Sequence, residues 1–216
     1  MKNIAIYGAG GFGREVACML RRINAQAPNS PIWNMVGFFD DGKPVGYETE
    51  YGTVLGGMDA LNAVSEPLCV AVAIGSPKVV EKVVGRISNP LVEFPNIFSP
   101  DTEFFDKENI SFGHGNIVCL RCSFSCNVSI GDFNVFNGLV TVGHDVIIGN
   151  FNSFMPSVRV SGEVNIGNCN FFGVSSVILQ KVHIGFDTVI GANSTVIRKT
   201  KNRNTYMGNP AQIVKY

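Results

Sequence analysis

The chain has three histidines, and one of them stands directly beside a carboxylate: His144-Asp145, inside Gly143-His144-Asp145-Val146-Ile147-Ile148-Gly149. An unperturbed imidazole titrates near pH ~6.5, so it can accept a proton from an amine or hydroxyl nucleophile at neutral pH. Asp145 can orient the ring and raise its basicity. The competing reading of such a pair is a solvated corner histidine with an acidic neighbour. His114 lies between two glycines with no adjacent carboxylate, and His183 precedes an inward-pointing isoleucine, so both read as surface residues. The three do not share a turn of the chain and lack the ligand spacing of a zinc triad, so no metal is expected.

Six cysteines are spread through the chain, and Cys119, Cys122 and Cys126 form a CxxCxxxC run. That run is open to two readings, a metal or iron–sulfur site and tight internal packing; the repeat described below favours packing. None of the six has an adjacent base in sequence, which argues against a cysteine nucleophile. Reduced thiols are expected in a chain with no export signal.

A second chemistry-bearing segment is Gly8-Ala9-Gly10-Gly11-Phe12-Gly13. It follows a buried strand, Ile4-Ala5-Ile6-Tyr7, and precedes a helix from Arg14 to Ile23 with Val16, Met19, Leu20 and Ile23 on one face. Backbone N–H groups at such a helix start can hold a phosphate, and glycines allow close approach. Without a ligand the same segment is simply a tight strand-to-helix turn. Two more strands are expected, Val36 to Phe39 ending in Asp40-Asp41, and Cys69 to Ile74 ending at Gly75 before a helix from Lys78 to Ile87. Three strand ends on one edge of a parallel sheet form a nucleotide crevice, in which Asp40 suits a ribose or base hydroxyl. An NAD site would need a second lobe, and about 95 residues give only half of a two-lobed dinucleotide fold. A mononucleotide-linked ligand fits better.

The elements that must position these groups follow two different periods. Beyond Asn109 a six-residue period takes over: Phe112, Val118, Phe124 and every sixth residue to Val196 are apolar, fifteen in succession. The next residue is often glycine, which tolerates positive φ, as a chain turning a corner after each short strand requires. Four residues after each inward position the side chains are small, polar or β-branched, as a narrow interior demands. Three strands per circuit make a triangular coil, and the fifteen hexads make about five coils, roughly 24 Å tall at a strand spacing of ~4.8 Å. The helical and strand patterns of the first half give way to the hexads between Phe94 and Asn109, around Pro95 and Pro100. The expected organisation is therefore α/β followed by all-β: a small Rossmann-like unit over 1–95, a β-helix over 96–200 and a tail over 201–216.

Hydrophobic residues make up 45% of the 216, and 17 basic residues balance 17 acidic ones, so the chain can bury a core and has no net field to attract nucleic acid or anionic lipid. Only four apolar residues separate Met1-Lys2-Asn3 from Gly8, and no stretch reaches the length of a membrane span. A cytoplasmic location is expected, with no nucleic-acid or membrane partner.

Taken together, IAIYGAGGFGREVA, VGFFDD, AVAIGSP, the hexads, GHDVIIGNF and the closing Met207-Gly208-Asn209-Pro210-Ala211 resemble the bacterial NeuD/PglD-type sugar acetyltransferases over nearly the full length. That resemblance implies a left-handed β-helix, which the hexad pattern itself does not determine. It implies acetyl-CoA as co-substrate and transfer to the amino group of a nucleotide-linked amino sugar. His144 would be the general base, tuned by Asp145. Gly10, Gly11, Phe12, Asp40, Asp41 and Gly75 would hold the nucleotide-sugar, and Ser153, Gly173, Val174, Gly191 and Ala192 would line the acetyl-CoA groove. It further implies a homotrimer with sites between adjacent subunits. Two positions depart from the family: several members have a second histidine where Ser153 stands, and many have His-Pro where Phe98-Ser99-Pro100 stands. The alternatives are an O-acetyltransferase acting on sialic acid or another glycan hydroxyl through the same pair, and a non-catalytic trimeric nucleotide-sugar-binding regulator.

Overall fold

The computed structural model describes residues 1–214; positions 215 and 216, the end of the expected tail, lie outside the described residues. The front unit is a six-stranded sheet ordered β3-β4-β2-β1-β5-β6. Its strands are β1 (Lys2–Tyr7), β2 (Trp33–Phe39), β3 (Glu48–Thr49), β4 (Gly52–Gly56), β5 (Leu68–Val72) and β6 (Val92–Glu93). All neighbours run parallel except the β3–β4 hairpin. Ile4, Ala5, Ile6 and Val70 are fully buried, as expected of central parallel strands covered on both faces. Helix α1 (Gly11–Gln26) starts three residues before the expected Arg14, because Gly11, Phe12 and Gly13 already turn helically. Helix α2 (Met58–Asn62) and helix α3 (Pro77–Val84) complete the unit. Gly13 lets α1 close onto the sheet, since a Cβ there would strike the Gly8 carbonyl oxygen.

The second half is a three-faced parallel solenoid. We name its faces in chain order. Face I carries Ile97–Phe98, Ile117–Val118, Val135–Phe136, Ser153–Phe154, Phe171–Phe172, Val189–Ile190 and Thr205–Met207; faces II and III begin at Glu103–Phe104 and Ile110–Phe112. The sheets hold eight, six and five strands respectively, so the stack is taller than the expected five or so coils. The extra coil hides because the period breaks. Phe98 and Phe104 are six apart, but the 3₁₀ turn Lys107–Asn109 inserts two residues before Phe112, and counting back by six from Phe112 misses both. At the other end Tyr206 stacks onto Ile190 after 16 residues instead of 18, and Gln212–Val214 then turns back antiparallel, so segment 201–214 adds two strands to face I.

Inside the prism Phe136, Phe154 and Phe172 stack nearly parallel, with centroids 4.8 and 4.5 Å apart. The corner between faces III and I is lined by fully buried Asn116, Asn134, Asn152 and Asn170. Each side-chain oxygen accepts the backbone N–H one coil on, at 2.8 to 2.9 Å, ending at Thr188. Each Nδ2 also donates to a corner carbonyl, so these buried amides are satisfied.

The expected role of the hexad glycines needs correction. The left-handed φ values, 53° to 65°, fall two residues later, at non-glycine positions such as Asn127, Phe133, Asp145, Glu163 and Lys181. The glycines are there for space: a Cβ on Gly143 would lie 2.7 Å from the Gly162 nitrogen, and one on Gly149 2.9 Å from the Gly167 carbonyl oxygen. At these two glycines the stacked coil leaves no room for a side chain, whereas the same phase elsewhere holds Cys119, Asn137, Met155 and Leu179.

The front unit sits on the lower part of face I. Outward-facing Ile97 and Ile117 join Val16, Met19 and Leu20 of α1 in one buried cluster, while Phe133, on the corner between faces III and I, packs with Tyr7, Phe39 and Val80. No helix among the described residues is long and apolar enough to cross a membrane.

Candidate active site

His144 and Asp145 occupy the corner between faces II and III, on the second coil above Phe112. The corner interior is sealed by Val128, Val146, Val164 and Val182, which pushes the polar groups outward. Asp145 has φ 57°, and this left-handed turn brings its carboxylate back over the neighbouring ring. His144 Nδ1 lies 2.7 Å from Asp145 Oδ2, with both side chains about half exposed (47% and 48%). Asp145 Oδ1 accepts a second hydrogen bond, at 2.6 Å, from the Asn127 amide one coil below. That bond is the largest cause holding the Asp145 carboxyl below its usual range, and the bond to His144 is the next. An ionised Asp145 selects the tautomer with hydrogen on Nδ1, which leaves the Nε2 lone pair free to take a proton.

The ring lies flat on the next coil. A Cβ on Gly162 would come 2.4 Å from Nε2 and 2.6 Å from Cε1, so only glycine lets the imidazole take this position. The Gly162 N–H has no acceptor among the described residues. An imidazole with its Nε2 lone pair open thus lies against the glycine of the next coil, in a position to take up a proton. His114 makes a comparable contact, Nδ1 to Asp132 Oδ1 at 3.1 Å, but Asp132 also accepts the His114 backbone N–H and belongs to a polar ladder on another corner. His183 lies on face III, pointing outward and exposed.

In the front unit the structure brings Gly10, Gly11, Phe12 and Asp40 together. Gly10 caps α1 without a side-chain bond, and a Cβ on Gly10 or Gly11 would meet nothing within 4 Å. Packing therefore does not demand these glycines, and the first amides of α1 remain open to a ligand. Asp40 accepts the Ala9 N–H at 2.7 Å and the Gly42 N–H at 2.8 Å, which pins the turn. Asp41 points elsewhere: it accepts the Met58 N–H at 2.8 Å and pairs with Arg86 at 3.1 Å. A cavity of about 400 Å³ opens beside the turn, lined by Ala9, Gly10, Arg14, Lys43, Tyr47 and Glu50. Arg14, Lys43 and Tyr47 carry no periodic signal that marks them in sequence as cavity-lining residues.

Gly75 lines a different cavity of about 500 Å³ between the front unit and face I, with Ser76, Pro77, Met155, Phe171 and Val189. Its rim is tied by Lys78 and Asp187 at 2.8 Å, an ion pair between residues 109 apart in sequence. Ser153 is 1% exposed in face I, away from the His144 corner. Gly173, Val174, Gly191 and Ala192 stack on the corner between faces I and II, where a Cβ on Gly173 would lie 2.5 Å from the Ala192 nitrogen. Within one chain that corner and the His144 corner are separate.

Cys119 and Cys122 are buried, and burial pushes both thiols up to about 12. Cys126 is exposed. No cluster of three or more metal-ligating side chains occurs among the described residues.

The PglD N-terminal domain family matches residues 3–87. Over the whole length, WeeI from Acinetobacter baumannii AYE is 27% identical, with 99% of this chain and 100% of that one aligned and a TM-score of 0.87. Residues 3–87 thus form a PglD N-terminal domain, and the whole chain shares its fold with WeeI. The same fold is seen in the acetyltransferase domain of PglB from Neisseria gonorrhoeae FA1090, in complex with acetyl coenzyme A (24% identity, 99% of each chain, TM-score 0.86). It recurs in PerB from Caulobacter crescentus, in complex with CoA and GDP-perosamine (23% identity, 100% of this chain and 98% of that one, TM-score 0.84). No curated protein sequence matches the chain significantly.

Proposed function

We propose that the protein transfers an acetyl group from acetyl-CoA to the amino group of a nucleotide-linked amino sugar, with His144 as general base. One observation carries the residue assignment: Asp145 holds Nδ1 at 2.7 Å while Nε2 lies against Gly162, whose N–H has no acceptor among the described residues. The substrate class is supported by relatives of the same fold, one in complex with acetyl coenzyme A and another with CoA and GDP-perosamine.

In this reading the substrate amine forms a bond to the thioester carbonyl carbon as the carbon–sulfur bond breaks. Nε2 of His144 takes the proton the amine loses and returns it to the departing CoA thiolate. Asp145 stabilises the transient imidazolium, and the Gly162 N–H donates to the developing oxyanion. The glycine turn around Gly10, Gly11 and Phe12, together with Asp40, holds the nucleotide, while Asp41 braces the crevice wall through Met58 and Arg86. Gly75 and the face I crevice lie between turn and solenoid. Acetyl-CoA runs along Gly173, Val174, Gly191 and Ala192 with Ser153 nearby. That corner and the His144 corner are separate in one chain, and in the homotrimer that the resemblance implies the complete site joins two subunits.

The test is His144→Ala in the full-length protein, assayed by thiol capture of released CoA against UDP-, GDP-, dTDP- and CMP-linked amino sugars. Turnover should fall by about 10² to 10⁴ with assembly unchanged. Near-normal acetylation by that variant would reject the assignment. Asp145→Asn should lower turnover in the same direction, because an amide oxygen stabilises the imidazolium less than a carboxylate does.

A further inference from the structure

We propose that Asn127 is a positioning residue for the reaction: its amide clamps one oxygen of Asp145, so that the other stays on Nδ1 of His144. The inference rests on the reading of His144 as base and extends the pair to a chain of three groups running up one solenoid corner.

Asn127 and Asp145 are 18 residues, one coil, apart and share the left-handed backbone state, with φ 56° and 57°. Their side chains therefore leave the corner in the same direction, one above the other. The contact between Nδ2 and Oδ1 is 2.6 Å, and that between Oδ2 and Nδ1 is 2.7 Å. A carboxylate bonded only to the ring could rotate about its terminal torsion, which is broad and soft. A second bond, on the opposite oxygen, removes that freedom. An amide does not titrate, so the clamp persists at every working pH.

The backbone does not require asparagine at this point. The equivalent left-handed positions elsewhere hold Arg121, Phe133, Leu139, Ser157, Lys181 and others, so the side chain at 127 is free to serve the pair above it. The next two residues up the column are engaged with each other. Glu163 is 3.7 Å from Lys181 and accepts from Gln180 at 2.8 Å. Glu163 thus turns away from Asp145. The groups facing the pair from the neighbouring coils are Glu163 and Lys181 above and Asn127 and the exposed Cys126 thiol below.

Two variants separate the clamp from the fold. Asn127→Gly removes the amide and accepts positive φ without strain. Asn127→Asp keeps the shape but sets a second carboxylate against Asp145. Each is compared with wild type and His144→Ala, using the nucleotide-linked amino sugar of highest turnover, and the three histidines are ¹⁵N-labelled for tautomer measurement by NMR. For Asn127→Gly, kcat should fall by about tenfold with KM values within about twofold, and His144 should become a mixture of ring tautomers. For Asn127→Asp the acid limb of the kcat/KM profile should move to higher pH, because an added negative charge favours the protonated states of Asp145 and His144. Wild-type kcat and an unchanged tautomer in Asn127→Gly would overturn the proposal, provided His144→Ala is inactive. An active His144→Ala would instead defeat the base assignment, and the tautomer measurement would then decide alone whether Asn127 governs the ring.

Discussion

Two corners of the same prism solve one geometric problem with opposite chemistry. Between faces III and I the buried corner positions are Asn116, Asn134, Asn152 and Asn170, hydrogen-bonded into a continuous internal ladder, and left-handed Phe133 and Phe151 are stacked 5.6 Å apart beneath the front unit. Between faces II and III the equivalent buried positions are Val128, Val146, Val164 and Val182, while left-handed Asn127, Asp145, Glu163 and Lys181 are exposed. One corner satisfies its polar groups inside and uses its outside to dock a domain. The other is dry inside and presents its polar groups to solvent. The backbone is the same in both, so the division between docking edge and exposed polar edge is made by side chains alone.

The largest expected effect on stability lies in the asparagine ladder. Asn152→Val removes bonds to Asn134, Gly167 and Asn170 at once, and leaving those buried groups unpaired should cost about 3–5 kcal/mol, measured by denaturant unfolding. A loss below about 1 kcal/mol would mean the ladder is not what seals that corner. At the His144 corner the expected loss is in function. Gly162→Ala forces the His144 ring off its seat and should lower kcat about a hundredfold with little change in melting temperature, since the obstructed atoms are the end of a mobile side chain. Gly143→Ala, whose Cβ would meet backbone, should instead lower the melting temperature; equal behaviour of the two variants would erase the distinction.

A thiol reagent at pH ~8 sharpens the contrast between inside and outside. Cys126 should be modified in the native protein, and Cys119 and Cys122 only after unfolding, as peptide mass mapping would reveal. The smallest effect concerns the front unit. The Met58 N–H is the largest cause holding the Asp41 carboxyl below 3.8, so its contribution is present above the unfolded carboxylate range and drains away as pH falls through the folded value. Asp41→Asn should therefore flatten the decline in melting temperature below pH ~4 and leave the slope at neutral pH unchanged.

Much of this was legible in the residues. The apolar sixth position identified the inward side chains of the solenoid from Phe112 to Val196, and the glycine turn with its flanking strands marked the front crevice. What escaped has physical reasons. The first coil was hidden by the two-residue insertion at Lys107–Asn109, because a period count has no tolerance for a phase slip. The role of Asn127 was invisible because its partner lies 18 residues away and outside the apolar pattern. The hexad glycines are visible in sequence but their constraint is not, since it comes from the coil above and not from the torsions of the residue itself. Gly162 belongs to the same class, since nothing in its local sequence says that a histidine ring rests on it.

Sequence alone determined the two architectures and the adjacency of His144 and Asp145, because hydrophobic period and adjacent residue chemistry are local properties that survive without a structure. Tertiary structure decided which oxygen of Asp145 meets the ring, which amide clamps the other, and which glycine makes the seat. Those relations arise only when coils 18 residues apart are stacked, so they depend on distances through space that no order of residues along the chain expresses.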